Sequence, residues 1–200
     1  VGGRGKHVFR GFNRGTQMRR QPGSTIKPLV VYAPALEHGY FYDSTLQDKK
    51  QSYGTNDYTP KNYDDTYAGS VPMYKAVYES LNAPAVWLLN KIGVNTGYKM
   101  AQKFGLPVEK GDKNLALALG GMTKGVSPEQ IARAYATFAN EGKMPDTHYI
   151  TKIKDASGKT IVTAKTAKPK RVVTANTAKN MTSMLIGVFE HGTGQSARPA

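Results

Sequence analysis

Cysteine is absent from the 200 residues, which removes disulfides, thiolate metal sites and thiol nucleophiles together and suits a protein facing an oxidising exterior without covalent staples. Long apolar runs are also absent. The longest, Leu29 to Leu36, is about eight residues, against the ~20 that a membrane-crossing helix requires. Acidic residues are scarce: 14 Asp and Glu stand against 28 Lys and Arg, a formal net charge of +14. A basic balance of this size fits nucleic acid, an anionic membrane or an anionic polymer, and only the arrangement of the cations discriminates. They are spread along the whole chain, densest over Arg10 to Arg20 and Lys152 to Arg171, with no zinc-finger, basic-zipper or RNA-recognition pattern, so nucleic acid is not an expected partner. His7, His38, His148 and His191 lack metal-ligand spacing. The sequence opens mid-pattern with Val1-Gly2-Gly3 and contains no signal peptide, so any export signal or anchor is expected upstream.

What is present reads as one ordinary domain with a real core, since 39% of the residues are apolar and 10% aromatic. Val1 to Phe12 alternates apolar positions and predicts a short strand, followed by a polar loop over Asn13 to Gly23. From Ser24, Ile26, Leu29, Val30, Ala33 and Leu36 follow helical spacing up to His38-Gly39, which predicts a buried helix of about four turns. Tyr40 to Gly69 has no period and predicts a long ordered loop of the kind used for binding; within it Asp64-Asp65 reads as a solvated turn, and Tyr53, Tyr58, Tyr63 and Tyr67 as packing with one or two facing a ligand. Helices are expected from Val71-Pro72 to about Ser80, over Ala85 to Ile92, and over Tyr98 to Phe104. A longer one follows from the Ser127 cap and Pro128 to Asn140. A hairpin is expected around Asp155-Ala156-Ser157-Gly158-Lys159, with a last helix over Thr174 to Phe189.

The stretch RRQPGSTIKP, residues 19 to 28, sets Ser24 and Lys27 three positions apart. On a helix such residues share a face, so their side chains are within reach of each other. A serine hydroxyl becomes a nucleophile when a base takes its proton, and a lysine is that base only where burial or neighbouring charge lowers its pKa; Ile26, Pro28 and Leu29 offer an apolar setting. Pro28 removes a backbone donor early in the helix and is expected to leave a carbonyl near Ser24 without its usual partner. Further on, Ser80-Leu81-Asn82 is held between two helices by Pro84. Its hydroxyl can pass a proton and its amide can donate to a carbonyl or hold Lys27. Taken singly, each string also fits an ordinary reading, a cap serine followed by a surface lysine, and an interhelical turn.

Taken together and in order, VGGR, FNRGTQMRRQPGSTIKP, YTPKNYDDTYAG, ESLNAPAV, LALGGMTKGVSPEQIARAYATFANEG and HGTGQSA span essentially the whole chain. They resemble the transpeptidase domain of the bifunctional, class A penicillin-binding proteins. The resemblance implies an α/β (α+β) fold of the penicillin-binding and serine β-lactamase type, an all-α lobe packed against an antiparallel sheet. It implies acyl transfer without a cofactor or metal: Ser24 attacks the carbonyl between two terminal D-alanines of a peptidoglycan stem peptide, and an amine of a neighbouring stem peptide resolves the acyl-enzyme. β-Lactam antibiotics acylate the same serine. Lys27 would be the base, Ser80 the relay toward the leaving amine, and Asn82 the holder of Lys27 and of the substrate amide.

One family motif is missing. No Lys-Thr-Gly occurs, and the nearest strings, Lys159-Thr160-Ile161 and Lys165-Thr166-Ala167, lack the glycine and lie before the last helix. Residues 1 to 200 are therefore expected to be the N-terminal and central part of the domain, with the Lys-Thr-Gly strand, further strands and a helix beyond Ala200 or on a separate chain. The sheet is then incomplete, and the piece alone is expected to acylate poorly. An anchor outside this chain would hold the protein at the extracytoplasmic face of the membrane. A serine β-lactamase or D,D-carboxypeptidase shares the fold and first motif, although those β-lactamases more often carry aspartate where Leu81 stands. A non-catalytic wall-binding or β-lactam-sensing module is the alternative outside enzymes.

Overall fold

The computed structural model describes residues 5, 8–55, 57–165 and 167–197. Its centre is the helical stretch that starts at Ser24. The first turn, Gly23–Ile26, is a 3₁₀ turn, Pro28–Tyr32 is wound as a π-helix, and Ala33–Glu37 (α1) is α-helical. The expected regular helix is thus three helical types in series, and Pro28 accounts for the change. In an α-helix the residue at position 28 would donate to the Ser24 carbonyl, and proline has no N–H. The 3₁₀ turn supplies the donor from one residue earlier, Lys27 N–H to Ser24 O, and the Tyr135 hydroxyl donates to Thr25 O at 2.7 Å. The carbonyl expected to be orphaned is satisfied. Ile26, Leu29, Val30 and Val31 have no exposed surface, each contributing about 1.5–3 kcal/mol by burial.

Helices α2 (Met73–Tyr78), α3 (Asn82–Ile92), α4 (Val94–Lys103), α5 (Pro128–Ala139) and α6 (Ala175–Glu190) pack around this stretch. Their ends follow local rules. At α5, Ser127 Oγ accepts from Gln130 N–H while Gln130 Oε1 accepts from Ser127 N–H, at 3.2 and 3.0 Å, with Pro128 in the first turn. At α6, Thr174 Oγ1 accepts from Thr177 N–H. Glu37 Oε1 accepts from Thr174 N–H at 2.9 Å, tying the end of α1 to the start of α6. The α3 helix begins at Asn82, three residues before the expected Ala85.

The strands form two-stranded antiparallel pairs: β1 (Thr45–Asp48) with β2 (Gly69–Pro72), β3 (Lys143–Met144) with β6 (Lys170–Arg171), and β4 (Lys152–Lys154) with β5 (Thr160–Thr163). The β4–β5 hairpin matches the sequence expectation. The first pair corrects it. Tyr40 to Gly69 is not all loop, because Leu46 pairs with Val71 and both are buried; Val71-Pro72 accordingly ends a strand instead of starting α2. The strand expected over Val1 to Phe12 lies partly outside the described residues. Over residues 8–12 the chain turns, Gly11 N–H donating to Val8 O, and leaves Val8, Phe9 and Phe12 exposed.

The short helix Leu115–Leu119 ends at Gly120, which lies against the turn that carries Ser24. Gly120 has φ +85°, and a Cβ there would meet Gly23 N and lie 2.7 Å from Gly23 O. Gly120→Ala is expected to lower stability by about 2 kcal/mol or more through backbone strain and that clash, and to slow penicillin labelling by displacing Ser24. Thermal unfolding and labelling rates measured together check it; an unchanged labelling rate would show that the turn does not depend on this contact.

Candidate active site

Ser24, Ser80, Leu81 and Asn82 line one cleft of about 720 Å³, with Tyr63, Asp64 and Glu79 on one side and His191-Gly192-Thr193 on the rim. Ser24 is exposed, in the first turn of the central helix. A backbone N–H in that position has no preceding carbonyl of its own helix to bond. Among the described residues its hydroxyl has no protein partner. Lys27, three residues on, points inward and is 2% exposed. The structure brings Lys27 to the second motif and not onto Ser24. Its Nζ donates to Ser80 O at 2.6 Å, Asn82 Oδ1 at 2.7 Å and Leu81 O at 3.1 Å, and reaches Ser80 Oγ at 3.3 Å. No hydrogen bond joins Ser24 Oγ to Lys27 Nζ; the amine is buried and spends its bonds on the second motif, while Ser24 is exposed.

Burial lowers the Lys27 amine to about 7. The acceptor oxygens around it pull the other way, since three of them match the three N–H bonds of an ammonium. An amine that loses one proton keeps the two short bonds, to Ser80 O and Asn82 Oδ1. Its lone pair is then available to a hydroxyl, and Ser80 Oγ is the nearest. The charge of Lys27 is therefore labile near neutral pH, and no carboxylate among the described residues pairs with it.

Ser80 is held in an uncommon conformation. It caps α2 with φ +55°, the left-handed position usually given to glycine. Ser80 N–H donates to Val77 O and Leu81 N–H to Ala76 O, both at 3.1 Å, which closes the helix end. A serine stands where glycine would be locally easier. Ser80→Gly is expected to leave thermal stability equal or higher while reducing acylation several-fold. A fall in the melting temperature, or unchanged acylation, would count against a chemical role for this hydroxyl.

Asn82 is fixed from both ends. Its Oδ1 accepts from Lys27 and its Nδ2 donates to Lys61 O at 2.7 Å. The neighbour that makes this possible is Asn62, a buried amide whose Oδ1 accepts from the N–H groups of Asn82 and Ala83 at 2.9 and 3.0 Å. It caps α3 from a loop twenty residues away, while its Nδ2 donates to Asp48 Oδ1 and Thr66 O. Sequence reasoning had no local signal for Asn62; only its place inside YTPKNYDDTYAG marked it. Tyr53 is buried and Tyr63 is fully exposed at the cleft. Asp64 makes a solvated turn with Thr66. No cluster of three or more metal-ligating side chains occurs among the described residues. A more apolar groove of about 640 Å³ between the Asn13–Thr16 turn and α5 contains none of these groups.

Residues 7–200 match the family model for the penicillin binding protein transpeptidase domain. Penicillin-binding protein 1F of Bacillus subtilis is 49% identical over 197 residues, and penicillin-binding protein 2a of Streptococcus pneumoniae 45% over 200; each alignment covers 98% of this chain. The chain spans about a quarter of the length of these relatives, 27% and 26%. Among solved structures, penicillin-binding protein 1A from Haemophilus influenzae aligns over 92% of this chain and 32% of its own, with a TM-score of 0.81 and 29% identity. The imipenem acyl-enzyme of penicillin-binding protein A from M. tuberculosis shares the fold with a TM-score of 0.84 at 21% identity, covering 94% of this chain and 48% of that one.

Proposed function

Because the chain belongs to the penicillin-binding protein transpeptidase domain family, we propose that it carries the nucleophile, base and relay of a peptidoglycan D,D-transpeptidase that β-lactams acylate. The observation that carries this reading is the buried Lys27 amine, lowered to about 7 and aimed at Ser80 and Asn82 in the floor of the cleft that Ser24 lines. Ser24 Oγ attacks the carbonyl of the penultimate D-alanine, and its proton passes to Lys27. A C–O bond forms, and the oxyanion takes a hydrogen bond from Ser24 N–H. Ser80 Oγ, 3.3 Å from Lys27 Nζ, delivers the proton to the leaving nitrogen, the C–N bond breaks and D-alanine departs. The amine of a second stem peptide then attacks the ester, its proton returns along the same route to Ser24 Oγ, and the cross-link is released.

Stem peptides lie outside the cytoplasmic membrane, which assigns the domain to the extracytoplasmic face. No helix among the described residues is long and apolar enough to cross a membrane, so an anchor would come from elsewhere. These 200 residues alone acylate slowly in this reading, since they contain no Lys-Thr-Gly string to supply the second oxyanion donor and bind the substrate carboxylate; one such donor is worth about 10²–10³ in rate. The test is the whole protein incubated with a D-alanyl-D-alanine pentapeptide and an amine acceptor. One D-alanine should be released per cross-link, and penicillin should block it. Hydrolysed tetrapeptide alone would indicate a carboxypeptidase, rapid penicillin turnover a β-lactamase, and a bound but unreacted β-lactam a binding module.

A further inference from the structure

Beside the cleft, a second depression of about 400 Å³ lies between α2 and α6. Tyr42, Tyr74 and Tyr78 form one wall. They are held in order: Tyr74 N–H donates to Tyr42 O at 2.8 Å, the Tyr74 and Tyr78 ring centroids are 6.1 Å apart, and Tyr78 meets His191 edge-on at 6.0 Å. The other wall is a stripe of α6 carrying Asn180, Ser183 and Glu190. Gly187 in that stripe leaves room for the Tyr78 ring, since a Cβ there would already lie 3.4 Å from Tyr78 Cδ1. His191 borders both depressions, so the aromatic wall runs into the cleft that contains Ser24 and Ser80.

We propose that the groove lined by Tyr42, Tyr74, Tyr78 and the Asn180–Ser183 face of α6 is a carbohydrate subsite that seats a sugar ring of the glycan strand attached to the stem peptide. The proposal rests on the reading of the neighbouring cleft as a transpeptidase site. Three features select this ligand. Exposed tyrosine faces pack against the C–H faces of a pyranose, while their hydroxyl groups and Asn180 and Ser183 meet its hydroxyl and acetamido edges. Neither Asn180 nor Ser183 engages its side chain in a hydrogen bond within the described residues. No lysine or arginine lines the groove and Glu190 does, which disfavours an anionic polymer despite the net charge of +14. The lining comes from α2, from α6 and the residue after it, and from the turn that carries Tyr42, so no open strand edge is offered to an added peptide.

The experiment measures binding of the peptide-free N-acetylglucosaminyl-N-acetylmuramoyl disaccharide, its lactyl carboxyl capped as an amide so that the probe is neutral, to the whole protein by saturation-transfer NMR, with penicillin acylation followed in parallel. Tyr74→Ala and, on the opposite wall, Asn180→Ala should each weaken disaccharide binding by roughly tenfold. Tyr74→Phe should retain it, and all three should label with penicillin at the parental rate. Disaccharide affinity unchanged in both the Tyr74→Ala and Asn180→Ala variants would overturn the subsite. Failure of the parent to label with penicillin while disaccharide binding remains sensitive to Tyr74 would instead overturn the reading of the cleft and leave the sugar site standing.

Discussion

Ser24→Ala is expected to eliminate covalent penicillin labelling, with mass spectrometry of the parent locating the adduct on the peptide that contains Ser24. The hydroxyl is exposed in the cleft, free of a protein partner among the described residues and one helical turn from the buried Lys27 amine, whereas Ser80 Oγ is engaged with Lys27. Removing a nucleophile leaves no covalent route, a loss on the order of 10⁵–10⁶ where such residues act as a unit. Stability should change by no more than about 0.5 kcal/mol, because Ser24 is a surface position that makes no side-chain hydrogen bond. That pairing of total chemical loss with an unchanged melting temperature separates a nucleophile from a structural serine. An adduct on Ser80, or labelling that survives in Ser24→Ala, would sink the assignment.

Lys27→Arg should be nearly as damaging as Lys27→Ala, at roughly 10²-fold or more in acylation rate. An arginine keeps a positive charge and can still donate to Ser80 O and Asn82 Oδ1, but it stays protonated and cannot accept the Ser24 proton. The pH dependence gives the sign independently. In the proposed mechanism the neutral amine is the competent form, and burial lowers its pKa to about 7, so the parental acylation rate should rise as pH increases through about 7 and level off above it. The arginine variant should be slow and flat over the same range. Near-parental rates in Lys27→Arg would show that Lys27 acts as a charge alone, and a rate that falls as pH rises through 7 would show that the ammonium is the working form.

Asn62 shows why part of this site was not legible in the sequence. Its amide caps α3 from twenty residues away and is itself held by Asp48, and neither partner is within a helical turn or a strand register of it. The β1–β2 pairing failed to register for the same reason: each strand is four residues long, and what identifies them is the burial of Leu46 against Val71 across the intervening loop.

Where a feature depends on near neighbours, the sequence was sufficient. The Ser127–Gln130 capping box, the Thr174 cap and the turn around Asp155 to Lys159 each close within about four residues, and the order of motifs identified the family. The tertiary structure decided which way the motif side chains face. Spacing put Ser24 and Lys27 on one helical face, but Lys27 bonds across 53 to 55 residues to Ser80, Leu81 and Asn82, and Ser24 opens to the cleft. The physical reason is burial: an amine folded into the core must satisfy its N–H bonds from whatever oxygens packing brings there. Those oxygens come from the turn between α2 and α3, which the packing of α3 against the central helix brings to the Lys27 amine.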